Sequence, residues 1–219
     1  MDWEEFWGGI KRHRQKIAKL VEGKVAEVAS GTARNFEYYQ DEQFKFYRRK
    51  SYQESSGSNV ARAQLISRVT FMDSSEAMLL IAAGKIKELN ESKPEEYHVE
   101  PEFIKINCED MKEIHENTYD TVVQTFGLCS TDRPESVLKE IERICKKNGK
   151  IILLEHGKSK YTWLNYVLNR RAPYHAKRWG CWHNKDIEKL VKDSGMSIEL
   201  ESRHHLGTTY FYVLRPNSC

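Results

Sequence analysis

The chain has 219 residues, 39% hydrophobic and 31% charged, with 35 basic and 32 acidic residues giving a formal charge of +3. That is enough ordinary sequence for one folded domain with a sizeable core, and it excludes a disordered chain. The charge balance lacks the basic stripe of a nucleic-acid binder, no apolar run approaches the ~18 residues that span a membrane, and the acidic, aromatic N-terminus is neither a secretory signal nor an Arg-rich presequence.

The elements follow in chain order. A helix is predicted over 3–22, with Phe6, Ile10, Ile17, Leu20 and Val21 as its apolar positions. Strand one, 24–30, runs into Gly31-Thr32-Ala33 and a short helix through Tyr39. Residues 40–68 are polar and without period, and carry Arg48-Arg49-Lys50 and Ser55-Ser56-Gly57-Ser58. Helix-to-strand connections usually take about 2–6 residues, so this stretch reads as an insertion whose basic triplet is a solvated loop. Strand two, 69–72, ends at Asp73-Ser74-Ser75, whose serines can cap the next helix. A charged loop runs from Pro94 to Pro101, strand three covers 103–106 and strand four 119–124. Asp132-Arg133-Pro134-Glu135 starts a helix with the stripe Val137, Leu138, Ile141, Ile144 and Cys145; Asn148-Gly149 is expected to end it before strand five at 150–154. An aromatic and basic segment, 161–182, precedes a helix around Ile187, Leu190 and Val191 that Gly195 stops, and two strands near 197–203 and 208–214 close the chain. The alternation predicts a single α/β domain over 1–219, built on a mostly parallel sheet with helices on both faces.

The five cysteines are odd in number and form no CxxC pair, so they read as reduced intracellular thiols, without a disulfide framework or metal site. Cys129 and Cys181 read as buried apolar thiols.

Ligands of a doubly wound sheet bind beyond the carboxyl ends of its strands. The small-residue turn from Glu27 to Ala33 lets a ligand approach the backbone. Asp73 can accept hydrogen bonds from ribose hydroxyls. With Asn107-Cys108-Glu109 after strand three, these make a nucleoside-binding pattern.

In this order and spacing, Glu27…Gly31, Asp73-Ser74-Ser75-Glu76-Ala77-Met78, Cys108-Glu109-Asp110-Met111 and Tyr119 through Ser130 resemble the class I S-adenosylmethionine (SAM)-dependent methyltransferases, near the ubiquinone-methyltransferase-like and thiol-methylase branches. Gly149 to Gly157, Trp179-Gly180-Cys181-Trp182 and His205 to Thr209 resemble the fungal mitochondrial methyltransferase-like proteins. The likeness covers roughly 20–40 and 68–214.

It implies a Rossmann-like fold with a seven-stranded, mostly parallel sheet, SAM as cofactor and a small, apolar methyl acceptor (quinone-, lipid- or thiol-like). It assigns Glu27, Ala29, Ser30, Gly31 and Thr32 to the methionine part of SAM, with Glu27 near its amino group. Asp73 goes to the ribose, and Ser74, Met78, Asn107, Cys108 and Glu109 to the adenine. Gln124, Thr125 and Phe126, just past strand four, go to the sulfonium and acceptor. Ala29 and Ala33 stand where the family usually has glycine, and alanine disfavours positive φ. Asn107 replaces a common Asp and adds no charge.

Candidate general bases are His156, at the end of strand five, and His205, with His204 and His183 behind them. Segment 158–183 is expected to form a lid over an apolar pocket or to pack on the sheet. The resemblance points to mitochondria, otherwise to the cytoplasm, and to peripheral membrane association; it names no oligomeric state. The chain starts just before strand one, which fits a compact relative or an incomplete start. A noncatalytic SAM-fold assembly factor is the second reading. An NAD(P) oxidoreductase is disfavoured by the lack of a full GxGxxG.

Overall fold

The computed structural model describes residues 9–42, 66–92, 99 and 101–217. Its elements are α1 (Ile10–Leu20), β1 (Gly23–Val28), a helical segment at 36–42, β2 (Ile66–Asp73), α2 (Glu76–Ser92), β3 (Pro101–Lys105), β4 (Tyr119–Thr125), a 3-10 turn (Leu128–Ser130), α3 (Pro134–Ile144), β5 (Cys145–His156), α4 (Thr162–Trp179), α5 (Ile187–Asp193), β6 (Ser197–His204) and β7 (Thr209–Arg215). They build one seven-stranded sheet in the order β3-β2-β1-β4-β5-β7-β6. Five strands are parallel; β7 runs antiparallel to β5 and to β6. The order reverses between β1 and β4, which opens a crevice at their carboxyl ends.

The central strands are Val/Ile/Leu runs because both of their faces are covered. On one face Val28, Met72, Val122 and Leu153 pack with Val137, Leu138 and Ile141 of α3 and with Ile187 and Val191 of α5. On the other, Val25, Phe71, Val123 and Ile152 pack with Ile10 and Ile17 of α1, Phe36 and Tyr39, and Leu79, Ala82 and Ile86 of α2.

Three boundaries differ from the sequence reading. Helix α3 stops at Ile144, and Cys145 is already extended and paired with Tyr119. Asn148-Gly149 therefore lies inside β5, at an irregularity in its register with β4. Gly149 is required there by close approach: a Cβ would fall 2.7 Å from Cys145 Sγ and 2.9 Å from the Asp120 carbonyl oxygen. Strand β2 begins at Ile66, three residues early, and its first part pairs with β1. Segment 161–182 is mostly one helix, α4, with Ala172 as its single buried residue, so it does not pack on the sheet as a layer. Most of the 40–68 insertion, the loop after Pro94 and the start of the first helix lie outside the described residues.

Candidate functional site

A cleft of about 990 Å³ lies at the carboxyl ends of the parallel strands. Its floor is the turn after β1, in which Ala29, Gly31 and Ala33 all adopt the left-handed region, at φ 52, 55 and 53. Ser30 N–H donates to the Met72 carbonyl at 3.0 Å, and Gly31 N–H donates to Asp73 Oδ2 at 2.8 Å. The other carboxylate oxygen accepts from Ser75 N–H at 2.9 Å, at the start of α2. Asp73 thus latches two elements with one bond to each oxygen and keeps acceptor capacity, since a carboxylate offers about four sites.

Left-handed φ costs an alanine roughly 1–2 kcal/mol. Ala29→Gly and Ala33→Gly are each expected to stabilise the protein by about 0.5–1 kcal/mol after glycine's extra chain entropy is subtracted. A rise in Tm for each variant checks this; a fall would mean the alanine methyls contribute more by packing than their backbone costs.

Every residue named above for the cofactor or for catalysis lines this cleft except Glu27, Gln124 and the two secondary histidines, His204 and His183. Glu27 lies buried beneath the turn, where its carboxylate accepts from Asn35 Nδ2 at 3.0 Å and Tyr39 OH at 2.9 Å. Asn35 Oδ1 in turn accepts from Arg14 Nη1 at 2.6 Å, and Arg14 reaches the cleft from α1. Glu27 is therefore linked to the cleft through Asn35 and Arg14 and is no part of its wall. Gln124 sits inside β4, which runs one residue further than the sequence suggests. It is fully buried, and neither atom of its amide has a hydrogen-bond partner among the described residues.

Burial pushes the Glu27 carboxyl up to about 7, against the hydrogen bond from Tyr39, the charge of Arg14 and the bond from Asn35. Its folded pKa is above its unfolded value, so the folded state holds a proton that the unfolded state releases. Stability is therefore full below about 4.5, falls as pH rises towards 7 and is level above it, a loss of about 3 kcal/mol. Glu27→Gln is expected to flatten that slope in denaturant titrations at stepped pH; an unchanged slope would remove Glu27 as its source.

The far side of the cleft is aromatic. Phe126 adopts φ 59, and its ring stacks on His156 with centroids 4.1 Å apart. Non-glycine residues held at such angles persist only where the surroundings over-determine them, and they cluster at functional sites. His205 also has positive φ, 52, and its Nδ1 lies 2.9 Å from Thr209 Oγ1. His204 is exposed and stacks edge-on with His13. Burial pushes the Cys108 thiol up to about 11, which disfavours its thiolate. The Glu109 carboxylate accepts from Thr131 Oγ1, from Arg133 N–H at 3.0 Å and from Arg133 Nε at 2.8 Å. These donors hold it down at about 2, so it anchors the loop before α3 as well as edging the cleft.

Ile10, Arg14, Trp179 and Thr208 line the cleft without having been assigned a site role in the sequence. Glu155 is the larger omission. Fully buried, it accepts from the backbone N–H groups of Gly127 at 3.0 Å, Leu128 at 3.1 Å and Cys129 at 3.4 Å, and so holds the turn that carries Phe126. Burial pushes its carboxyl well above the ordinary range, with the neighbouring Cys129 thiol adding to the rise. A lone carboxylate inside Ile151-Ile152-Leu153-Leu154-Glu155 was the available signal.

A family model described as "Methyltransferase domain" matches residues 55–153. The yeast (Saccharomyces cerevisiae) mitochondrial methyltransferase OMS1 is 33% identical over 94% of this chain, which spans 41% of the yeast protein. The rat (Rattus norvegicus) thiol S-methyltransferase TMT1B is 38% identical over 32% of this chain and 29% of its own length. The chain thus spans well under half the length of these relatives. A crystal structure of a methyltransferase-like protein from Bacillus halodurans superposes with a TM-score of 0.65 at 13% identity, covering 94% of this chain and 95% of the other, and shows the same fold.

Proposed function

Because this chain belongs to the class I SAM-dependent methyltransferase family, we propose that it binds SAM in the cleft and catalyses methyl transfer to a small acceptor. One juxtaposition carries this reading. A turn of left-handed residues after β1 faces the Asp73 carboxylate at the end of β2, beside a space large enough for cofactor and acceptor together.

In this reading the Ala29–Thr32 turn and Arg14 receive the methionyl end, Arg14 as the cation for its carboxylate. Asp73 takes the ribose, and Ser74, Met78, Asn107 and Cys108 take the adenine. Thr125 and Phe126 border the sulfonium. SAM supplies an already activated methyl group, so the protein's contribution is chiefly alignment. Where the acceptor must lose a proton, His205 takes it, oriented by Thr209. The His156 ring is committed to Phe126 on one side and to the Cys129 thiol on the other. Phe126, Trp179 and His156 make the acceptor wall aromatic, which suits an apolar acceptor with one polar atom.

Labelled SAM with panels of thiols, quinones and lipids tests the proposal. A methylated product that is lost in His205→Gln supports it. SAM binding without turnover on any class would favour the noncatalytic assembly-factor reading.

No helix among the described residues is long and apolar enough to cross a membrane. Helix α4 nevertheless exposes Trp163 and Tyr166 at 63% each and Tyr174 at 68%, and it carries Arg170, Arg171, Lys177 and Arg178 with no acidic residue. Aromatic and basic side chains together suit an anionic lipid surface, and we place the chain at such a surface, in mitochondria as the yeast relative's name suggests. Co-sedimentation with anionic vesicles, absent with neutral ones, is the expected result.

A further inference from the structure

Three ligand-bearing side chains converge behind the acceptor wall. Cys129 comes from the 3-10 turn after β4, His156 from the end of β5, and Cys181 from the loop after α4. Their ligand atoms all lie within 4.8 Å of one another, and the two sulfurs are 3.0 Å apart. Both cysteines are buried and neither lines the cleft. A fourth donor is carried by the same loop as Cys181, outside the 4.8 Å group. His183, two residues past Cys181, has a buried Nδ1 with no hydrogen-bond partner among the described residues, and its ring lies within electrostatic reach of His156.

We propose that Cys129, Cys181 and His156, completed by His183, bind a divalent metal ion of the zinc class. Two thiolates and imidazole nitrogens are the donor set of a tetrahedral zinc site, with Zn–S of about 2.3 Å and Zn–N of about 2.0 Å. Those lengths put neighbouring ligand atoms about 3.3–3.8 Å apart. The sulfurs need only separate by less than about 1 Å to reach that spacing. A buried, unpaired imidazole nitrogen is costly unless something occupies its lone pair; a metal does.

The site is of the closed, structural kind, because its thiols face away from the cleft. Its purpose follows from the elements it joins. Helix α4 fully buries one residue, Ala172, and is otherwise held by half-buried side chains and a few hydrogen bonds. The loop after it already docks on the 3-10 turn, with Trp182 N–H donating to the Cys129 carbonyl at 2.8 Å and Lys185 Nζ to the Leu128 carbonyl at 2.9 Å. A metal here fixes the base of α4 to the turn carrying Phe126 and sets the orientation of the His156 ring that stacks on it. The sequence hides the site because its ligands arrive from three separate elements, with no CxxC pair to mark it.

The reduced, chelator-treated protein is titrated with cobalt(II) and with zinc(II). We expect uptake of one equivalent, a thiolate-to-cobalt charge-transfer band, and tetrahedral d–d bands that zinc displaces. Cys129→Ser and Cys181→Ser should each weaken binding by more than about 100-fold, beyond the loss of an outer-shell partner; Cys145→Ser should bind as wild type. Should the cysteine variants fold poorly, the wild-type chain still decides. Zinc should slow iodoacetamide alkylation of Cys129 and Cys181, mapped by mass spectrometry, and leave Cys108 unaffected. No thiolate–cobalt band, or alkylation indifferent to zinc, would overturn the proposal.

Discussion

Asp73→Ala is expected to weaken SAM binding by at least about 100-fold, read by calorimetry. In the proposed site, two charge-assisted hydrogen bonds to the ribose, at about 1.5–3 kcal/mol each, disappear with the carboxylate. The Gly31 N–H and Ser75 N–H also lose their acceptor, so the turn and the start of α2 are no longer tied together. The direct loss acts on binding, while the lost tie costs stability only about 1 kcal/mol, as for a missing helix cap. Asp73→Asn, which keeps one acceptor oxygen, should lie between the two. A folded Asp73→Ala protein that binds SAM as wild type does would remove the ribose role and, with it, the map of the cofactor site.

The second large effect concerns stability. Glu155→Leu leaves three backbone N–H groups in the interior with no acceptor, and each such group costs about 1–3 kcal/mol. A total near 4 kcal/mol corresponds to a fall in Tm on the order of 10 °C for a domain of this size. Glu155→Gln should be mild. Burial raises the carboxyl's pKa and so favours its neutral form, to which the amide is close to isosteric, and the amide retains an acceptor oxygen. If the two variants lose equal stability, the carboxylate charge and not its acceptor role is what the turn needs. Because the turn carries Phe126 and Cys129, Glu155→Leu should also broaden the acceptor side of the cleft.

The mostly parallel sheet, the place of the cleft and most of its lining were legible in the sequence, for a physical reason. Parallel strands buried on both faces read as apolar runs, and the residues at their carboxyl ends must be small or polar to meet a ligand. That is why Ala29–Thr32, Asp73 and Asn107–Glu109 could be named. What escaped notice depends on where a strand ends or on distant partners. Gln124 was given to the wall by resemblance, whereas it lies inside β4 with its side chain fully buried. Cys145 was given to a helix because its spacing suits α3 as well as β5. Arg14 reaches the cleft only because α1 lies across it. Cys129 and Cys181 meet across 52 residues, through a loop whose path no local pattern encodes.

The lone buried side chain of α4 has one more consequence. Opening that helix exposes far less buried apolar surface than opening the sheet, so its amide hydrogens should exchange through local fluctuation, while those of β1, β4 and β5 wait for global unfolding. The molecule would then show two tiers of exchange, with the boundary at the 180–183 loop. In the proposed function, the surface offered to a lipid or an acceptor thus rearranges without drawing on the stability of the sheet beneath the cleft.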